Sequence, residues 1–190
     1  MQTIIVEDRD AEHAQVYETA LRHVQNIYDR SFAARMASRP PRMAVALNRD
    51  GQIACAAAIR CSHEGFFSQH YLDEPVSAVL SRRTGLEVSA RDLLEVGGLA
   101  CTSPFSAYPT LQAIFEWGRQ RGIGWGLFTA TAEIRRLIQR ARITPLLLAQ
   151  AQPSRVPDSG QWGSYYDHDP WLCAFRDPTQ IPQAALQEIA

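Results

Sequence analysis

Lysine is missing from this chain of 190 residues: all 19 of its basic side chains are arginine. Schiff-base chemistry and a lysine general base are thereby excluded. Cysteine is scarce as well. Cys55, Cys61, Cys101 and Cys173 stand far apart, form no CxxC pair and fall mostly inside apolar runs, a pattern that predicts buried, reduced thiols. Long hydrophobic runs are also absent. Nothing approaches the roughly 18 apolar residues of a membrane-spanning helix, and Met1–Asp8 lacks the basic start and apolar core of a signal peptide. The expectation is a cytoplasmic protein without membrane insertion. Neither charge is in excess: a formal net charge of -1 gives no general attraction to nucleic acid or anionic lipid, so no nucleic-acid partner is expected. What remains is 46% apolar against 21% charged residues, with no internal repeat and no linker. One domain over residues 1–190 with a full core is predicted.

Thr3–Val6 reads as a short strand, and Ala11–Ser31 shows apolar residues near helical spacing up to Pro40-Pro41. Met43–Leu47 and Ile53–Arg60 flank Asn48-Arg49-Asp50-Gly51, a hairpin signal. His63–Asp73 is an aromatic loop, and Glu74-Pro75 opens a helix through Leu80. Next comes Leu93–Cys101, a strand followed by the turn Thr102–Ala107, a helix opened by Pro109, a strand over Gly126–Thr131 and a helix over Glu133–Arg140. Thr144–Leu148 and Trp171–Phe175 close the pattern as strands, separated by the loop Gln152–Gln161. The fold class is α+β. A strand, a helix and a returning parallel strand leave a cleft at the strands' carboxyl ends. The turn after Cys101 has no glycine and two prolines, so it is a poor cradle for a pyrophosphate.

That order, with Leu94-Glu95-Val96-Gly97-Gly98-Leu99-Ala100 and Phe128-Thr129-Ala130-Thr131, resembles the GNAT acyltransferase fold and its branch of autoinducer (acyl-homoserine lactone) synthases. Together with Gln69-His70-Tyr71-Leu72-Asp73-Glu74-Pro75 and Trp162-Gly163-Ser164-Tyr165-Tyr166, these stretches are similar to the thermostable hemolysin family, from the first helix to Phe175. One departure is the glycine at position 98, where the family pattern has asparagine. The resemblance implies a mixed sheet with a splayed central parallel strand pair flanked by helices. It also implies an acyl group moved from a pantetheine thioester to an amine of a small metabolite. The donor is an acyl carrier protein or acyl-CoA used as co-substrate, with no permanently bound cofactor and no metal. A carrier-borne phosphopantetheine has no pyrophosphate, which accounts for the missing glycine loop.

In that frame the pantetheine lies along Val96, Gly97, Gly98 and Leu99, where paired glycines in an apolar strand mark a bulge and free an amide. Ser103, Ser106 and Thr129 complete the expected donor site. Glu95 is the candidate general base, because a carboxylate inside a strand is costly to bury without work or a partner; an ion pair to arginine is the competing role. His70 is a second proton-transfer candidate, and Tyr165 or Tyr166 could protonate the leaving thiolate. Asp167, His168 and Asp169 are consecutive and cannot easily face one ion. Arg82, Arg83, Arg119 and Arg121 are candidates to meet an acidic carrier protein. Two other functions stay open: a membrane-active haemolysin and a non-catalytic carrier-binding module. The former needs an exposed amphipathic element, whereas packing on the sheet is expected to consume each helix's single apolar stripe.

Overall fold

The computed structural model describes residues 1–140, 144–177 and 179. In chain order its elements are β1 (Gln2–Glu7), α1 (Ala14–Phe32), β2 (Arg42–Leu47), β3 (Ile53–Cys61), α2 (Val76–Thr84) and β4 (Leu93–Cys101), then α3 (Ala107–Arg119), β5 (Trp125–Ala130), α4 (Ala132–Arg140), β6 (Leu146–Gln150) and β7 (Trp171–Arg176). The seven strands form one sheet in the order β1-β2-β3-β4-β5-β7-β6. Every neighbouring pair is antiparallel except β4 and β5.

Tyr17, Ala20, Leu21 and Val24 recur at three- and four-residue intervals, so α1 buries one stripe against Val6, Met43, Val45, Ala56 and Ala100. Each large member of that stripe contributes about 1.5–3 kcal/mol by leaving water. On the same face, α2 covers Leu93, Leu127, Leu172 and Ala174 through Val76 and Leu80. The opposite face carries α3, whose Ile114 meets Ala57, Ile59, Leu94 and Val96. The hairpin turn is tied by the Asn48 side chain, which accepts from the amides of Asp50 and Gln52.

Boundaries move where local chemistry outruns pattern. α2 begins after Pro75, which stands as its N-cap rather than inside it, and runs to Thr84. The turn after β4 closes into a short 3-10 segment, Pro104–Ser106, so α3 starts at Ala107, before Pro109. The last but one strand lies at Leu146–Gln150, two residues later than Thr144–Leu148. Two expectations fail. Cys55 and Cys101 are not reduced thiols but a disulfide, because the register sets them directly opposite each other on β3 and β4; Cys61 and Cys173 are buried and free. The apolar stripe of α4 is not consumed either. None of its residues is buried, and Ile134 and Leu137 stay 39% and 44% exposed.

Candidate active site

β4 and β5 pair in parallel only from Leu93 with Trp125 to Val96 with Phe128. Beyond that point β5 continues through Thr129 and Ala130 against β7, while β4 continues to Cys101 against β3 alone. The strands therefore part, and among the described residues the β5-facing backbone of Gly97–Cys101 has no strand to pair with. A bulge starts the divergence: Gly98 and Leu99 together oppose the single residue Ala57, since Gly97 pairs with Ala58 and Ala100 with Ala56. Gly98 has φ +56°, and a Cβ there would lie 3.1 Å from Val24 Cγ1 and 3.3 Å from Met36 Cε. The backbone conformation and the packing of α1 both ask for a residue without a side chain. Asparagine is the other residue type that visits the left-handed region readily.

Side chains from α1 and from the loop before β7 meet the exposed carbonyls of the two walls. On the β4 wall, His23 Nε2 donates to the Ala100 carbonyl at 3.3 Å. Burial pushes the His23 imidazole down and that hydrogen bond only partly offsets it, so the ring is neutral at neutral pH with Nδ1 left as an acceptor. On the β5 wall, the Tyr165 hydroxyl donates to the Thr129 carbonyl at 3.3 Å. Burial, with Tyr28 and Tyr166 nearby, raises the Tyr165 phenol well above its ordinary value and keeps it protonated.

Tyr165 is held by a clasp. The Ser164 amide donates to the Phe32 carbonyl at 2.8 Å and the Arg35 amide to the Gln161 carbonyl at 2.6 Å, which fastens the loop to the end of α1. Gly163, at φ +52°, presses against the Phe32 carbonyl so closely that any Cβ would overlap it. The Tyr165 ring stands edge-on to Phe32 at 5.3 Å and packs on Trp162 at 5.5 Å.

Glu95, 6% exposed, points to the α1 face and has no arginine partner among the described residues. Its two oxygens accept the amides of Phe67 and Ser68 at 2.7 and 2.8 Å. The carboxylate thus pins the loop before α2 to the sheet and keeps lone pairs in reserve. Tyr166 reaches Tyr71, hydroxyl to hydroxyl, at 2.9 Å; burial raises its phenol, and Tyr71 pulls the other way.

The remaining candidates scatter. His70 is exposed, its ring edge-on to Phe67 at 5.6 Å, and it bonds none of Glu95, Tyr165 and Tyr166. Ser103 caps the short turn by accepting the Phe105 amide, and Ser106 is buried with its hydroxyl donating to the Ala54 and Ser103 carbonyls. Asp169 is tied to Arg135, Gln150 and Trp171. The four arginines expected to meet a carrier are engaged within the molecule: Arg82 with Glu74, Arg83 with the Leu147 carbonyl, Arg119 with Asp177 and Arg121 over the Trp117 ring. Arg119 and Arg121 also lie at the end of α3 that feeds the start of β5, away from the cleft mouth. The mouth itself presents Phe105 and Tyr108, 89% and 72% exposed. Beside it, α4 and the loop at Asp167–Asp169 enclose a hollow of about 500 Å³ edged by Arg136 and Arg140. Sequence patterns gave no sign of His23 or of Arg60; each became visible only when the register placed it over β4 or beside Glu95.

A sheet with one parallel pair that separates at a bulge, flanked by helices on both faces, defines the GNAT acyltransferase fold. FeeM, an N-acyl amino acid synthase from uncultured soil microbes, shares it at 13% identity over 94% of this chain and 96% of that one, with a TM-score of 0.59. The AHL synthase LasI shares it at 11% identity over 92% and 90%, with a TM-score of 0.58. An agmatine N-acetyltransferase does so at 17% identity over 92% and 100%, with a TM-score of 0.53. Likeness at these identities establishes the fold. No curated protein matches the sequence. Residues 10–179 match the thermostable hemolysin family, and the chain belongs to it.

Proposed function

We propose that this protein is an N-acyltransferase that moves an acyl group from a pantetheine thioester, on a carrier protein or on coenzyme A, to an amine of a small metabolite. The observation that carries this is the end of the β4–β5 ladder at Val96 and Phe128, next to the Gly98 bulge. A pantetheine arm, itself a chain of amides, fits such a gap by pairing with the open backbone of Gly97–Leu99, just beyond Val96, as a further strand. The thioester carbonyl then lies near a freed amide that stabilises the oxyanion. Glu95 takes the amine's proton, and Tyr165, protonated beside the Thr129 carbonyl, gives one to the departing sulfur. Ser103 lies at the mouth, where no glycine loop cradles a pyrophosphate, and this favours the carrier protein. Exposed Phe105 and Tyr108 with Arg136 and Arg140 suit an acidic partner at that end.

Thiol release from acyl-carrier protein and acyl-CoA, with a panel of amines, tests the proposal. Glu95→Gln lowers kcat by about 10²–10⁴ if the carboxylate is the base. Release that needs no amine marks a thioesterase and removes the reading, and an undiminished Glu95→Gln removes the assigned base. A second reading, direct action on membranes, draws on the uncovered Ile134 and Leu137 of α4. Dye leakage from vesicles in the absence of any acyl donor would support it.

A further inference from the structure

On the sheet face beneath α1 and α2, one strip at the centre stays open. Ala58 and Arg60 of β3 and Gly97 of β4 stay partly exposed although both strands lie inside the sheet. Met43, Ala56 and Glu95 around them are buried. Packing does not force the glycine at 97, because a Cβ there would rest 3.8 Å from the Ala58 Cβ, an ordinary contact. Its absence lowers the floor of the strip.

Arg60 and Glu95 are direct cross-strand partners, so their side chains leave the same face side by side. They do not pair. Glu95 is turned to the amides of Phe67 and Ser68, and Arg60 has no ion pair or hydrogen bond among the described residues. The Ser68 hydroxyl, wholly buried and also flanking Glu95, has no hydrogen-bond partner among the described residues. On the α1 side, Tyr17 is close enough to feel the charge of Arg60, but its hydroxyl donates to the Pro40 carbonyl. An unpaired cation and a carboxylate with spare lone pairs, carried by directly paired residues of adjacent strands, make a receptor for a small zwitterion.

We propose that the acceptor is an α-amino acid, its carboxylate held by Arg60 and its amine delivered to Glu95. This rests on the transferase function above. The donor enters from the Cys101 end of β4, whereas Arg60 lies beside Glu95 at the other end, so the anion it receives belongs to the acceptor. A planar guanidinium matches a carboxylate with two parallel hydrogen bonds. Once the ammonium has lost a proton to solvent, the nitrogen lone pair forms the C–N bond. The C–S bond breaks with its electrons on sulfur, Glu95 takes the second N–H proton and the thiolate receives one. The product is an N-acyl amino acid, a single-chain anionic amphiphile, and such a detergent lyses red cells without the protein entering a membrane.

The full chain is supplied with dodecanoyl-CoA, and separately dodecanoyl carrier protein, plus each common amino acid, and thiol release is followed. The best amino acid is then compared with its carboxamide and its decarboxylated amine at equal concentrations of unprotonated amine. The expected kcat/KM is about 10- to 100-fold higher for the free amino acid. Arg60→Gln raises KM for the amino acid and brings the ratio between acceptors towards one, and Arg60→Lys recovers part of it. Thermal melting separates lost binding from lost folding, and the wild-type ratio stands even if the variant fails to fold. A plain amine that reacts as well as the amino acid, or a preference that survives in a folded Arg60→Gln, overturns this inference and leaves the transferase standing. Thiol release with no amine of any kind overturns both.

Discussion

Gly98 shows how much one residue can decide. Its positive φ and the crowding by Val24 and Met36 act together, so substitution meets both costs. Gly98→Ala is expected to lose about 1–2 kcal/mol for the left-handed backbone and more for the contact with α1. Gly98→Asn, which relieves the first cost but not the second, falls between alanine and wild type in a urea titration; equal midpoints for all three would contradict the geometry. The glycine pair itself was legible in the sequence, as a break in an apolar strand. The partners of Glu95 were not. They are main-chain amides 27 and 28 positions away, in a loop whose sequence carries no signal for that approach.

At the scale of elements, the loop that carries Tyr165 depends on its seat against the end of α1. Gly163→Ala places a methyl where the Phe32 carbonyl already lies, so the loop must lift and take the tyrosine with it. The expected result is a fall in kcat of about a hundredfold with little change in the melting of the sheet. Tryptophan fluorescence should report the change, because Trp162 belongs to the same cluster. A variant with wild-type turnover would separate this loop from catalysis. Element order was readable because each strand and helix has its own periodicity and turn chemistry, as at Asn48–Gly51. The fate of the cysteines was not, since a disulfide between Cys55 and Cys101 depends on register across β3 and β4. The bare face of α4 was hidden for the opposite reason: an amphipathic pattern announces a stripe, and only the tertiary structure says whether anything covers it.

For the whole molecule, two carboxylates link stability to acidity. Burial pushes Glu64 up, but the two hydrogen bonds from Arg42 and the Cys61 amide outweigh it and leave the carboxyl below its ordinary value. Asp177, 1% exposed, follows the same balance, with Thr179 and Arg119 overcoming burial. A depressed carboxyl stabilises the fold fully above its unfolded pKa and loses that contribution as the pH falls through the folded one. These two carboxylates should therefore make urea midpoints drop below about pH 4, after a smaller decline that begins near pH 6.5 as His23, held neutral in the fold, protonates in the unfolded chain. Glu64→Gln should start lower and fall less steeply; an identical slope would show that this pair does not contribute. The disulfide adds a constraint of another kind. Beyond the bulge, a covalent tie holds the last residue of β4 to β3, and before it Gly97 and Val96 are anchored by the ladder. The extra residue is trapped between two fixed points and cannot slip back into a regular strand. The opening between β4 and β5 is thus set by the chain's own bonds, waiting at full width before any guest arrives.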